Sequence, residues 1–235
     1  ATANDAGGVA SSPITVTVTN ATPSITLYQG YAFGTTTYTR NSANEATALV
    51  KIIQAADNTL PNQYNVTDGY GYTDNDALDN TINNRNSSPC GEELYDQNIA
   101  IKNSGAGTDI KFRVDVPNGD YRFVAAMGDT KYAFTDGNIL KARDGNSGTT
   151  VTLIDQATGV DEFAIVEFDD KVVPACSGIN FISEPASPTL TVTAEYIEFI
   201  QTLPNGGNGA GLSLLEVWSL DGHVKSADAT LDMQE

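Results

Sequence analysis

Tyr64, Tyr70 and Tyr72 stand close together in a stretch rich in Gly, Asn and Asp, YNVTDGYGY, over residues 64–72. A tyrosine ring offers a flat apolar face to the C–H face of a pyranose while its hydroxyl stays wet. Asp68 and the neighbouring amide side chains can accept from and donate to ring hydroxyls. Gly69 and Gly71 flank Tyr70 and favour a tight, exposed turn there. The chemistry on offer is recognition of a polysaccharide or glycan. The competing reading is that these rings pin a long loop to the body of the domain. Directly downstream, Asp74, Asn75, Asp76, Asp79 and Asn80 supply oxygen ligands in one short stretch. Calcium takes about six to eight oxygens, so clustered Asp and Asn are the ligands it needs. Leu78 breaks any EF-hand pattern. Asp161, Glu162, Asp169 and Asp170 are further oxygen sources, and all of these acids also read as the solvated surface of an acidic chain.

Catalytic chemistry has little to work with. His223 is the only histidine and lies near the end of the chain. No G-x-S-x-G, H-E-x-x-H or P-loop pattern occurs. Paired carboxylates could hydrolyse glycosides without histidine, but with 30 acidic residues no single pair stands out. The expectation is a protein that is not an enzyme.

Composition bounds the partners. Thirty acidic and 12 basic residues give a net charge of −18, whose field repels nucleic acid and anionic lipid. No run of about 18 apolar residues exists, so no transmembrane helix is expected. Cys90 and Cys176 are the only cysteines, too few for a four-ligand metal site. In an oxidising compartment they would pair as a disulfide closing a loop of about 85 residues, contributing about 4 kcal/mol. Two buried free thiols are the alternative. The chain opens at Ala1, and its first residues are not expected to act as a signal peptide. We expect a processed product or a piece of a longer secreted protein, at the cell surface or outside the cell.

The elements that must position these residues are strands. Hydrophobic residues make up 40% and charged residues only 18%, with Thr, Asn, Gly and Ser filling the remainder, the profile of a strand-and-turn protein. Phe112, Val114 and Val116 alternate with Arg113 and Asp115, the period of a half-buried strand. Pro117, Asn118 and Gly119 then reverse the chain, and Tyr121, Phe123 and Ala125 resume the alternation. This reads as a β-hairpin with one apolar face, a piece of scaffold. Other strands are expected at 25–33, 139–142, 149–154, 162–168, 178–181, 189–193, 196–201 and 211–220, at a spacing that fits a sandwich. Residues 45–56 are the one helix candidate: Ala46, Leu49, Val50 and Ile53 share a face, and Asn44 can cap it. Residues 74–93 read as loop.

The strict alternation over 14–19 resembles the last strand of bacterial immunoglobulin-like or cadherin-like repeats. Residues 1–20 are either the remnant of an upstream repeat or linker, or a strand that pairs with its own domain, adjacent domains or other copies of the chain. Residues 21–222 make the sandwich module, and 223–235 an acidic tail or linker.

Four stretches together resemble malectin-like and related galactose-binding-like carbohydrate-binding modules: 28–38 (YQGYAFGTTTY), 64–72, 112–129 and 211–219 (GLSLLEVWS). The first two are also similar to the β-rich module that precedes the catalytic domain in some secreted rhamnogalacturonan acetylesterases. The resemblance implies an all-β, jelly-roll-like antiparallel sandwich with at most one short helix, often holding a structural calcium. It implies a carbohydrate-binding role without chemistry of its own. An adhesive subunit assembled by strand pairing is the alternative, and an accessory domain of an esterase or lyase the third. By the same resemblance Glu216, which interrupts the apolar closing strand, is a calcium candidate beside Asp74, Asp76 and Asp79. Sugar binders of this kind present several loop aromatics. Trp218, the single tryptophan, joins the ligand candidates but sits in an expected strand.

Overall fold

The computed structural model describes residues 24–33, 50–52, 63–73, 78–84, 95, 97–101, 108–203 and 211–225. Among them fourteen strands follow in chain order. They are β1 (Thr26–Ala32), β2 (Val50–Ile52), β3 (Tyr70–Tyr72), β4 (Leu78–Asn84), β5 (Gln97–Ile101), β6 (Thr108–Asp115) and β7 (Gly119–Asp129), then β8 (Phe134–Asp144), β9 (Thr150–Thr158), β10 (Glu162–Val166), β11 (Asn180–Ser183), β12 (Leu190–Val192), β13 (Tyr196–Leu203) and β14 (Gly211–Ser219). They form two sheets, as expected of a β-sandwich. The larger runs β11-β10-β7-β14-β1-β2, with β12 also on β7, and β5 on β14 carrying β4. The smaller runs β3-β6-β13-β8-β9. Pairing is antiparallel except for β1 with β2 and β10 with β11. The long connection between β10 and β11 is what lets that pair return in parallel.

The two sheets close on one core. Phe112, Val114, Leu140, Ile197 and Phe199 from the smaller sheet meet Tyr31, Phe33, Tyr121, Phe123, Ala125 and Val217 from the larger. Phe112 takes the rings of Tyr31, Phe33 and Tyr72 at centroid distances of 5.1–5.3 Å, in T-shaped or edge geometry.

The larger sheet is covered on its other face too. Val124, Ala126, Phe163, Ile165, Leu214 and Trp218 pack there against Phe168, Val173, Cys176, Ile179 and Tyr95. Every residue of β14 is therefore buried. Cys176, in this covering segment, is disulfide-bonded, and the chain's other cysteine, Cys90, lies outside the described residues.

Several sequence expectations change. The segments on either side of Pro117–Gly119 do not pair: β6 bonds to β3 and β13, whereas β7 bonds to β10, β12 and β14. The turn is a corner that carries the chain from one sheet to the other. Both strands turn their apolar side to the same core, so the alternation is identical to that of a hairpin. A Cβ at Gly119 would stand 2.5 Å from Asp221 Oδ2, because the backbone of the corner passes directly under that carboxylate. Within the helix candidate at 45–56, residues 50–52 form β2, pairing through Gly30, Tyr31 and Ala32. Alternating Val50 and Ile52 suit an edge strand at least as well as a helix. Within 74–93, residues 78–84 are strand β4 rather than loop. Residues 14–19 lie outside the described residues. His223 and Lys225, placed in the tail by sequence, pack on the sandwich: the His223 carbonyl accepts from Thr26 Oγ1 at 2.9 Å, and Lys225 Nζ donates to the Asp68 carbonyl at 2.7 Å.

Candidate functional site

The tyrosine stretch folds as a turn that leads into β3. Asn65 Oδ1 accepts from the Thr67 and Asp68 amides at 2.9 and 3.0 Å, an Asx turn of the kind Asn favours. The Gly69 amide returns to the Asn65 carbonyl at 3.0 Å, with Gly69 at φ 68°. The Tyr64 amide then bonds the Tyr72 carbonyl at 2.9 Å, so the chain on both sides of the turn runs together. That contact requires Gly71, where a Cβ would lie 2.4 Å from the Tyr64 nitrogen.

The turn sends the three tyrosines to different places. Tyr70 and Tyr72 sit two apart on β3 and so share a face, and that face is the core. Tyr72 is 1% exposed and its hydroxyl has no partner among the described residues. Burial pushes its phenol well above the ordinary value. Tyr70 is half-buried against Tyr31 and Phe112, with Lys225 Nζ 5.3 Å from its ring centre. Trp218 is fully buried on the second face of the larger sheet and donates its indole N–H to Glu216 Oε2 at 2.9 Å. Tyr72 and Trp218 therefore present no ring to solvent and are corrected from ligand candidates to core residues.

Tyr64 alone of the three reaches the solvent side of the smaller sheet, and there it meets residues the sequence reading assigned to scaffold. On β6, inward Phe112 and Val114 alternate with outward Arg113 and Asp115. The Tyr64 hydroxyl donates to Asp115 Oδ2 at 2.8 Å, and Arg113 Nε donates to Asp115 Oδ1 at 2.7 Å. The Arg113 guanidinium carbon lies 4.3 Å from the Tyr64 ring centre and 3.9 Å from that of Tyr196 on β13, sandwiched between the two. Burial, then the hydrogen bond to Asp115, holds the Tyr64 phenol above its ordinary value, so it is a neutral donor at physiological pH. Both rings are partly exposed, and exposed Asn65 and Asp68 lie beside them in the turn, bonded to each other. The arrangement offers two aromatic rings, a guanidinium, a carboxylate and an amide in fixed relative positions.

The calcium candidates do not converge among the described residues, where no three His, Cys, Asp or Glu side chains gather around a common point. Glu216 is buried in the middle of β14 beside Trp218. Asp79 belongs to β4, and Asp74 and Asp76 lie outside the described residues. Glu162 accepts from Asn180 and from the Gly159 amide, which together hold its carboxyl below the usual range. Asp169 reaches Arg122, and Asp170 pairs with Lys171. His223 sets Nε2 3.1 Å from the Asn118 carbonyl and stacks near Tyr121.

No family model matches the chain. No curated protein sequence matches it either. Solved structures that share its shape in part include the YXIM protein of Bacillus subtilis, 16% identical over 85% of this chain with a TM-score of 0.46. The chain spans 41% of that protein's length. TmCBM61 in complex with β-1,4-galactotriose is 14% identical, covering 64% of this chain and 88% of its own, at a TM-score of 0.35. The K3 cleaved adhesin domain of Lys-gingipain from Porphyromonas gingivalis is 14% identical, covering 53% of this chain and 75% of its own, at a TM-score of 0.28.

Proposed function

We propose that this chain is a non-catalytic glycan-binding β-sandwich of an extracellular protein, and that it holds sugar on the solvent side of the smaller sheet at the Tyr64–Arg113–Tyr196 stack. The observation that carries the reading is the stack itself. Asp115 clamps both Tyr64 and Arg113, so the rings are ordered before any ligand arrives and lose little conformational freedom on binding. A partly exposed ring can cover the apolar face of a pyranose, while Asn65, Asp68 and the free Arg113 donors answer its hydroxyls. Preformed and polar at the rim, such a surface suits a polysaccharide better than a small molecule that needs a deep cavity. The test is affinity electrophoresis of the full chain through gels containing neutral and acidic polysaccharides. We expect retardation by at least one, reduced by about tenfold, equivalent to about 1.4 kcal/mol, in Tyr64→Ala and in Tyr196→Ala. Migration unaffected by every polysaccharide, or retention unchanged in both variants, refutes the assignment.

A further inference from the structure

The turn before β3 holds one residue that its own structure does not call for. Asn65 organises the turn: its Oδ1 accepts from the Thr67 and Asp68 amides, and its Nδ2 donates to the Asp68 carboxylate. Gly69 supplies the φ of 68° that closes it. Thr67 contributes its backbone amide alone. Its side chain is exposed, and its hydroxyl forms no hydrogen bond among the described residues. Val66, between the two, is 81% exposed. An Asx turn asks for Asn or Asp at its first position and asks nothing of the side chain two places on. Asn65-Val66-Thr67 is, however, an N-x-T signature, in which that hydroxyl marks the asparagine as the acceptor of an N-linked glycan.

The geometry leaves the acceptor open. Asn65 and the three residues after it are all exposed. The Asn65 amide nitrogen carries two hydrogens. A substituted amide keeps one of them, so a glycan can be added while the bond to Asp68 and both bonds to Oδ1 stay in place. In the transfer, Nδ2 bonds to the anomeric carbon of an oligosaccharide carried on a polyprenyl phosphate. The bond from that carbon to the phosphate oxygen breaks, the lipid phosphate leaves with the electron pair, and one Nδ2 proton passes to a base of the transferring enzyme. The disulfide at Cys176 belongs to a chain that meets oxidising surroundings outside the cytosol, where N-glycans are added. Asn20 and Asn86 begin two further signatures, N-A-T and N-S-S, and lie outside the described residues. We propose that Asn65 is an N-glycosylation site, held out to the transferring enzyme by its turn. The sugar would rise from the rim of the Tyr64–Arg113–Tyr196 stack and leave the contacts among Tyr64, Arg113, Asp115 and Tyr196 as they are. The modification therefore does not depend on polysaccharide binding at the stack.

The experiment maps glycopeptides of the chain isolated from its natural source, with the peptides around Asn20, Asn65 and Asn86 read separately by mass. Native, Thr67→Ser and Thr67→Ala chains are then secreted from cells that N-glycosylate and mapped in the same way. The source peptide that holds Asn65 should carry a glycan, removed by a peptide N-glycosidase with conversion of the acceptor to aspartate. In the secreted chains the glycan should persist in Thr67→Ser and be lost from that one peptide in Thr67→Ala. An exposed hydroxyl without a partner holds nothing together, so Thr67→Ala should melt within about 2 °C of the deglycosylated native chain. Loss of its glycan then reports the missing hydroxyl and not misfolding. Unmodified Asn65 in the source material overturns the inference. A sugar on this peptide that survives Thr67→Ala, or that resists the N-glycosidase, overturns it too, because the attachment would then follow another chemistry.

Discussion

The Tyr64–Arg113–Tyr196 stack makes a quantitative claim about stability that needs no ligand. Replacing Arg113 with Met keeps an unbranched stem and removes the guanidinium. Two ring contacts at 4.3 and 3.9 Å are lost, each worth about 0.5–1 kcal/mol at a partly exposed site. The ion pair to Asp115 is also lost. With side chains 28% and 31% exposed, it is worth about 0.2–1 kcal/mol. The variant should thus lose roughly 1.2–3 kcal/mol, a fall in Tm of about 2–12 °C for a domain of this size. Stability alone does not show that the stack is a unit, so the decisive assay is a double-mutant cycle with Tyr64→Leu, followed by urea denaturation. The structure predicts a coupling of about 0.5–1 kcal/mol between the two positions. Additivity within about 0.3 kcal/mol would mean that the ring and the guanidinium do not meet in solution, and the preformed platform would be wrong.

Asp144 caps the end of β8, accepting from the Thr193 and Ala194 amides at 3.0 and 2.9 Å and from Thr193 Oγ1 at 2.7 Å. Burial works to raise its carboxyl, but these three bonds outweigh burial and hold it below its ordinary value of 3.8. A depressed native pKa stabilises the fold above the ordinary value and loses that contribution as pH falls through the native one. Asp144→Asn should therefore unfold more easily at pH 7, and its deficit should shrink in pH-dependent melts below about pH 4. Trp218 is the chain's only tryptophan and is fully buried, so intrinsic fluorescence should be blue-shifted, resist acrylamide quenching and stay unmoved by bound polysaccharide. Tyr72→Phe removes a buried hydroxyl that has no partner among the described residues, so its urea midpoint should hold steady or rise by up to about 1 kcal/mol equivalent.

The all-β class was legible in the composition and the alternation, and β1, β6, β13 and β14 lie close to where the pattern places them. What alternation does not carry is the identity of the partner strand. Phe112 and Tyr121 face one core from opposite sheets, and in sequence that cannot be told from two strands of one sheet. The second buried face of the larger sheet was also hidden, because a strand covered on both sides has no polar side to count. This is why Trp218 and Glu216 read as available. At the site, Tyr64 was legible and its companions were not. Arg113 and Asp115 stood in plain view as the polar half of a strand, and only the pairing with β13 and the turn before β3 bring Tyr196 and Tyr64 to them. The one signal that pointed inward was the i, i+2 spacing of Tyr70 and Tyr72, a strand period inside what reads as loop.

The order of strands has a consequence for how the chain is made. β14 lies between β7 and β1 in the larger sheet, and β13 between β6 and β8 in the smaller. The central strand of each sheet thus comes from the end of the described chain, so during synthesis neither sheet can close until residues 196–219 have left the ribosome. Until then β1, β6, β7 and β8 wait with open edges, and formation of the sandwich is a late, non-local and slow event that leans on protection from aggregation. Truncation within β13 or β14 should abolish the whole fold, whereas loss of β11 or β2 at the margins should be survivable.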